Sequence, residues 1–193
     1  MATHETGDIP IPRRSDRTRA AILSAARRRF ADHGFERTTI RAIAADAAID
    51  PSMVMRYYGS KAQLFDAALD IDLRLPDLCT IPADRLAEEL VQHFLRRWEN
   101  ESSDDALPLL LRSAVTNDRA AQRIQEIFAA QVAPALGQDN AARAGLVSAQ
   151  LLGLALTRYL LRIPVLVHMS HEEIVTAFAP AIQATLGNLR GAS

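Results

Sequence analysis

The sequence predicts an all-α protein, and three observations carry that prediction. Strand signals are nearly absent: aromatic residues make up 5% of the chain and no segment sustains an apolar/polar alternation. Apolar residues instead recur three and four positions apart along most of the chain. Glycines and prolines fall where such helices would stop or start. With 193 residues and 49% hydrophobic residues, the chain has material for one or two small domains with a real core.

About nine helices are expected. The first runs from Ser15 or Asp16, either of which can cap it, to about His33. Ile22, Leu23, Ala26 and Phe30 share its inner face, and Gly34 stops it. Thr38 or Thr39 caps a short second helix reaching about Ala45, with Ile40, Ile43 and Ala44 inward. After the tight connection Ala47-Ala48-Ile49, Asp50 and Pro51 supply an N-cap and a proline at the first helical position of a third helix to about Tyr57. Gly59 breaks that helix, and Ser60 with Gln63 forms a capping box for a fourth. Its stripe is Leu64, Phe65, Ala68 and Leu69, and Pro76 ends it.

Pro82 begins a fifth helix with the stripe Leu86, Leu90, Phe94, Trp98. A polar loop, Asn100 to Asp105, leads to a short sixth helix from Leu107 to Val115. Asn117 or Asp118 caps a seventh, which carries Ile124, Ile127 and Phe128 and fades near Pro134 and Gly137. An eighth runs from about Asn140 to Arg162 and is ended by Pro164. Ser170 and Glu173 form a second capping box for the last helix, whose face is Ile174, Phe178, Ile182 and Leu186. Pro180 lies inside it and is expected to kink it.

Composition excludes several classes of function. The single cysteine, Cys79, allows no internal disulfide framework and no cysteine-built zinc site, which fits a reduced cytoplasmic setting. No G-x-S-x-G, H-E-x-x-H, C-x-x-C or phosphate-cradling glycine motif occurs, so an enzyme is the weakest hypothesis and no cofactor or metal is expected. His168 and His171 read as solvated loop residues. Residues 1–12 read as a disordered arm without the apolar core of a secretory signal. The uncharged apolar stretch between Arg143 and Arg158 is shorter than the roughly 20 residues a membrane span needs.

The formal charge of −1 conceals a split. Residues 13–61 hold eleven basic and five acidic residues, a local charge of +6, whereas residues 62–193 hold eleven basic and sixteen acidic ones. A short helix, a tight turn and a second short helix within the basic segment match a helix-turn-helix, whose second helix enters the major groove. Ser52, Met53 and Arg56 lie on that helix; arginine reads guanine by paired hydrogen bonds and methionine packs on a thymine methyl. Thr38, Thr39 and Arg41 begin the preceding helix, where hydroxyls and backbone amides meet phosphate. Tyr57 and Lys61 flank the exit. Lys61 is the only lysine in the chain and sits in a first helical turn, an unfavourable place for a cation unless a phosphate binds there.

The stretch from Arg17 to Phe65 resembles the DNA-binding domain of the tetracycline-repressor (TetR) family of transcriptional regulators. The resemblance rests on Ile22-Leu23-x-x-Ala26-x-x-x-Phe30-x-x-x-Gly34-Phe35, then Thr38-Thr39-Ile40-x-x-Ile43-Ala44 and Ile49-Asp50, and finally Tyr57-Tyr58-Gly59-Ser60-Lys61-x-x-Leu64-Phe65. It implies a homodimer with an N-terminal three-helix DNA module, here residues 13–61, and a ligand-binding and dimerisation domain, here residues 62–193. It also implies a phosphate contact for Lys61, backbone contacts for Tyr57 and Thr39, and no counterpart at Met55 of the tyrosine many members carry. Ala48 stands where the family often has a turn glycine. If that position is left-handed, alanine there costs on the order of 1 kcal/mol. The segment from Gly153 to Arg162, with Pro164 and Phe178 to Ile182, is similar to a C-terminal domain type of actinobacterial members.

In the eighth helix Gly145, Ala149, Gly153 and Thr157 form a stripe of small side chains on an otherwise apolar helix. Such a stripe admits another helix, from a second subunit or from the same chain. The resemblance implies pairing through the last two long helices, which adds Phe178 and Ile182 to the expected interface and predicts a palindromic operator. Phe94, Trp98, Leu110, Ile127, Phe128 and Leu152 are candidates for lining an effector pocket, against the alternative of ordinary core. His93 reads as a surface residue, and Cys79 as a small hydrophobe rather than an oxidant sensor. The expectation is a dimeric regulator, foremost a repressor that a small-molecule effector releases from double-stranded operator DNA. A helical interaction scaffold is the alternative; it explains the bundle but not the basic module.

Overall fold

The computed structural model describes residues 13–99, 106–137 and 141–187. The arm at residues 1–12, the polar loop Asn100 to Asp105 and the start of the eighth helix at Asn140 lie outside the described residues. Among those described, every regular element is helical. The chain divides into two compact units, with the division between Ala68 and Leu69.

The first unit contains α1 (Arg14–Arg37), α2 (Ile40–Asp46), α3 (Pro51–Tyr58) and α4 (Lys61–Ala68). Its core is Ile22, Ala25, Ala26, Phe30, Ile43, Ala44, Val54, Leu64, Phe65 and Ala68, all fully or nearly fully buried. Phe65 meets Phe30 edge to face at 4.9 Å and Phe35 at 4.9 Å, an aromatic cluster that joins α1 to α4. Two polar ties add to it. Arg27, buried on α1, donates its Nε–H to the carbonyl of Ala68 at 3.0 Å and so caps the end of α4. Arg29 grips Asp46 with both ends of its guanidinium, one bond at 2.8 Å, which fastens α1 to the end of α2. That contact first by hydrogen bonding, then by charge, holds the Asp46 carboxyl below the usual carboxylate range.

Gly34 leaves helical geometry at φ 73°, as a stop glycine should, and one further turn brings Phe35 into the cluster. α4 ends at Ala68, eight residues before Pro76. Leu69 is still buried, but the chain beyond it runs irregularly to a single 3₁₀ turn, Leu78–Thr80. The division after Ala68 keeps the whole of α4 with the unit whose core it completes.

The second unit contains α5 (Leu86–Glu99), α6 (Ala106–Ala114), α7 (Asp118–Ile127), α8 (Ala133–Leu136), α9 (Ala141–Ala155), α10 (Pro164–His168) and α11 (His171–Leu186). Pro82 precedes α5 in a turn closed by the Arg85 amide on its carbonyl at 2.9 Å. α5, α9 and α11 enclose the main core, which includes Leu90, Val91, Leu95, Val147, Leu154, Ile174, Ile182 and Leu186. Phe94, Phe128, Leu151 and Phe178 pack against it from its edge. The capping box at Ser170 and Glu173 is complete in both directions, and α11 continues through Pro180. Arg143 donates to the Leu186 carbonyl at 2.9 Å, closing the other end of α11 from α9.

Among the described residues, two π-helical turns divide what the sequence presents as continuous helices. Phe128–Val132 joins α7 to α8, and Leu156–Leu160 extends α9. Each widens the backbone by an i→i+5 step and turns the residues after it to a new direction. From the first turn, Gln131 clasps the segment that follows α4. Its Oε1 accepts from the Leu73 amide and its Nε2 donates to the Ile71 carbonyl, both at 2.8 Å.

The residue between α2 and α3 confirms the strain that its chemistry suggested: Ala48 sits at φ 53°, in the left-handed region. It is exposed, so no packing is lost by changing it. Ala48→Gly is expected to stabilise the protein by about 0.5–1 kcal/mol, the relief of left-handed strain less the added freedom of glycine in the unfolded chain. Denaturant unfolding with an unchanged slope measures it, and a loss of stability would refute it.

Candidate nucleic-acid interface

α3 is eight residues long and buries one side chain, Val54. Its start is fixed by Asp50, whose Oδ1 accepts from the Ser52 amide at 2.8 Å, with Pro51 at the first position. Hydrogen bonding to Ser52 keeps the Asp50 carboxyl below its usual range. Its exit is fixed by Gly59, at φ 75°. Tyr58 points inward and donates its hydroxyl to the Arg19 carbonyl at 2.9 Å; burial pushes that phenol up. With Val54 and Tyr58 committed, Ser52, Met55 and Arg56 face solvent and Met53 and Tyr57 are half-buried. Arg56 lies over the Tyr57 ring at 5.4 Å, and Arg19 over the same ring at 5.9 Å. Two guanidiniums and a phenol are thus grouped beside the exposed face of α3.

Thr39 is exposed and caps α2, its Oγ1 accepting from the Ala42 amide at 3.2 Å, and Arg41 is exposed one turn on. Both face solvent at the start of α2. Thr38 does not. It is 1% exposed, and its hydroxyl serves the carbonyls of Arg29 at 3.1 Å and Gly34 at 2.8 Å. The chain reverses at Gly34 and needs those carbonyls satisfied, so Thr38 is a structural cap and not a groove-facing residue. Lys61 is half-buried in the first turn of α4. Its Nζ lies 4.4 Å over the Phe35 ring and donates to the Glu36 carbonyl at 3.2 Å. This answers the unfavourable helix dipole locally and keeps the ammonium at the edge of the unit. Ser60 Oγ accepts from the Gln63 amide at 3.1 Å, the forward half of the expected capping box.

In the second unit the expected interface and pocket residues separate. Ala149 and Gly153 are exposed, and a Cβ added to Gly153 meets nothing within 4 Å. Gly145 instead faces its own chain, where an added Cβ would lie 4.0 Å from Phe128 Cζ. Thr157 is half-buried and donates to the Gly153 carbonyl at 2.7 Å. Phe178 packs on the core edge, and Ile182, at 0% exposure, belongs to the core and not to an interface. Beyond its polar first turn and Thr176, the residues of α11 that face outward are Ala177, Ala181 and Ala184 beside Pro180. Of the pocket candidates, Leu110 and Ile127 are buried, Phe94, Trp98 and Phe128 are half-buried, and Leu152 is exposed at 38%, so it lines no interior site of this chain.

Trp98 has a partner that sequence reasoning missed. Tyr159 stacks on it at 4.9 Å and 8°, with the Phe94 ring 5.9 Å from that of Trp98. Behind them Glu99 gathers three donors. Its Oε1 accepts from the Tyr159 hydroxyl at 2.7 Å and from the buried Arg158 at 3.2 Å, and its Oε2 is bonded by His171. Burial alone would raise the Glu99 carboxyl, but the bonds from His171, Tyr159 and Arg158 outweigh it and hold the group below its usual value. Burial, reinforced by the carboxylate, pushes the Tyr159 phenol up. His171 is therefore no plain loop residue. His93 is half-buried, with a ring nitrogen 3.0 Å from the Leu73 carbonyl. The available signal was Arg158, a charge closing an uncharged apolar run, but the π turn that aims it was not legible. Cys79 is exposed, in the 3₁₀ turn, so it is not a buried hydrophobe. Among the described residues no helix is long and apolar enough to cross a membrane, and no three His, Cys, Asp or Glu side chains are grouped to hold a metal ion.

Two family models match the chain. One, described as bacterial regulatory proteins of the tetR family, matches residues 22–68; the other, described as the tetracyclin repressor-like C-terminal domain, matches residues 84–186. An HTH-type transcriptional repressor of Mycobacterium tuberculosis, Rv3405c, is 37% identical over 86 residues, 43% of this chain and 46% of that protein. The match thus spans about half the length of the curated relatives. A crystal structure of a TetR-family regulator from Streptomyces coelicolor A3 superposes with a TM-score of 0.57 at 28% identity, covering 92% of this chain and 98% of that one. A structure described as a TetR-family transcriptional regulator from Rhodococcus sp. shares the fold with a TM-score of 0.64 at 19% identity, over 89% of this chain and 100% of that one.

Thr38→Val removes the buried hydroxyl, whose single proton is shared between two carbonyls, while keeping shape, and is expected to cost about 1–2 kcal/mol in denaturant unfolding. The salt dependence of DNA binding by the folded variant is expected to stay unchanged; a change in it would restore Thr38 as a phosphate contact. Glu99 has a lower pKa folded than unfolded. Its contribution is present above the usual glutamate value of 4.5 and is lost as pH falls through the folded value. Thermal unfolding followed from about pH 6 down to about pH 3 should therefore show a shallower acid limb in Glu99→Gln than in the parent. Identical acid limbs would assign the loss to other carboxylates.

Proposed function

Because the chain belongs to the tetracycline-repressor family of bacterial regulatory proteins, we propose that it is a dimeric DNA-binding transcriptional regulator of the cytoplasm. It acts foremost as a repressor, released from a palindromic operator by a small molecule. The carrying observation is the construction of α3. Val54 and Tyr58 anchor it, Asp50 and Gly59 fix its ends, and Ser52, Met53 and Arg56 are left for base edges. Thr39 and Arg41 at the start of α2, with Tyr57 and Lys61 beside the exit of α3, supply the phosphate contacts that set register.

Dimerisation is supported by the outward faces of α9 and α11. Leu146, Ala149, Gly153 and Leu156 on one side, and Ala177, Ala181 and Ala184 on the other, leave apolar and small side chains facing solvent. Two-fold pairing would cover them and set two α3 helices on successive major grooves. The half-buried rings of Phe94 and Trp98 at the edge of the core, with Phe128, are the residues from which an effector site would be built. A helical scaffold without ligand response would leave the basic surface of the first unit unused.

Lys61→Ala is expected to weaken binding to all DNA sequences alike and to reduce the slope of affinity against salt by about one. Fluorescence anisotropy across a salt series reads it, and an unchanged slope removes Lys61 from the phosphate set. Arg56→Ala and Met53→Ala should change which operator is preferred; equal weakening on every operator would take α3 out of base readout. Selection of genomic fragments by the purified protein supplies those operators, and recovery of no enriched sequence would overturn the regulator proposal. A Cβ added at Gly153 meets nothing of its own chain, so monomers of Gly153→Leu in sedimentation would report a partner helix there, and a persistent dimer would place the interface elsewhere.

A further inference from the structure

The arginines of α1 differ in what their side chains do. Four are committed within the first unit. Arg27 Nε donates to the Ala68 carbonyl at 3.0 Å, and Arg28 to the Ser24 hydroxyl at 2.7 Å. Arg29 pairs with Asp46 at 2.8 Å, and Arg37 Nε donates to the His33 carbonyl at 3.1 Å. Arg19 has no such role. It is exposed, and among the described residues its guanidinium meets no carboxylate and no hydrogen-bond acceptor. What it meets instead is aromatic: the guanidinium carbon lies 5.9 Å from the centres of both the Tyr57 and the Tyr58 rings. Arg14 and Arg17 are exposed too, but among the described residues neither lies over a ring.

The backbone beneath Arg19 is fixed. The Tyr58 hydroxyl donates to the Arg19 carbonyl at 2.9 Å, so α1 is tied to the exit of α3 at this residue. The side chain is therefore held beside two rings of α3 while its five N–H donors stay unused. Ordering a long cationic side chain costs conformational entropy, and here the fold orders one without using its donors. The charges make the same point. Arg56 lies 5.4 Å from the centre of the same Tyr57 ring, and no carboxylate among the described residues pairs with either guanidinium. Two like charges gathered around one phenol repel each other, and this part of the fold supplies no counterion. An anion bound there would remove the repulsion and find donors already in place.

The duplex supplies such an anion. With α3 set to read base edges, a guanidinium on α1 at the α3 exit stands at the rim of the groove, where the phosphodiester backbone runs. Arginine suits a phosphate because two parallel N–H groups match two of its oxygens. We propose that Arg19 is a further phosphate-binding residue, placed by Tyr57 and Tyr58 to grip the duplex backbone beside the exit of α3. The inference rests on the DNA-binding reading of the preceding section. It adds to that reading a contact from a helix outside the helix-turn-helix pair.

The test uses the full chain and two labelled duplexes, one of mixed sequence and one enriched from genomic fragments by the parent protein. Arg19→Gln removes the charge but keeps the carbonyl that receives Tyr58, so helicity should match the parent. Its affinity should fall by about tenfold on both duplexes alike, and the slope of affinity against salt by about one. Arg19→Lys should restore the slope, because it returns the charge, but only part of the affinity, because lysine lacks the paired donors. An unchanged slope in Arg19→Gln overturns the contact. So does a loss confined to the genomic fragment, which would put Arg19 in base readout. A variant that loses helicity, or a slope that Arg19→Lys fails to restore, makes the residue part of the scaffold and overturns the contact as well. Each of these results leaves the DNA-binding reading standing, because the parent still binds. A parent that binds neither duplex overturns that reading and the contact together.

Discussion

An eight-residue helix has too few internal hydrogen bonds to stand alone in water. That constraint governs the first unit, because α3 is such a helix and carries the side chains meant for DNA. Its direction comes from elsewhere. Val54 fixes it to a core whose centre is the contact of Phe65 with Phe30 and Phe35, and Tyr58 ties its exit to the α1 backbone. Arg27 and Arg29 then lock α4 and α2 to α1. Two arginines from the basic segment are thereby spent on architecture. The local excess of positive charge overstates the number of cations free to meet phosphate, and Arg19, Arg41, Arg56 and Lys61 are the better measure of that surface.

The second unit faces a different problem. A guanidinium as buried as that of Arg158 costs free energy unless every donor finds a partner. The solution is a hub in which Glu99 supplies the charge and the carbonyls at the end of α10 take the remaining donors. Glu99 in turn orients Tyr159, which positions its ring on Trp98. One ion pair thus sets the aromatic face near the candidate effector residues and the shape of the connector beyond α9. A disturbance at either place has a physical path to the other through the same carboxylate.

The helices with strong local signals were legible in the sequence. Asp50-Pro51, Thr39, Asn117 and the Ser170–Glu173 box each occupy the capping position their chemistry suggests. So was the stop at Gly34. The misassigned residues share one cause: a tertiary choice overrode a local one. Thr38 and Thr39 are equivalent as cap candidates, and only the reversal at Gly34 decides that one hydroxyl turns inward. Ile182 lies on the face of a helix that both a core and an interface could claim. Leu152 has the composition of a pocket residue and the exposure of a surface one. The Glu99 hub joins residues about sixty and seventy positions apart, beyond any spacing rule.

The π turn at Leu156–Leu160 bears on how this chain should be compared with its relatives. A π turn holds one residue more than the α-helical repeat, so side chains on either side of it are out of phase by about a quarter turn relative to a regular helix. A relative lacking the turn would present a different face at every position downstream until the helix ends. Aligning the two without a gap would pair Arg158 with a residue that points elsewhere, and residue identity at that site would lose its meaning. Homology at the Glu99 hub is therefore a question of helical phase before it is one of side-chain chemistry.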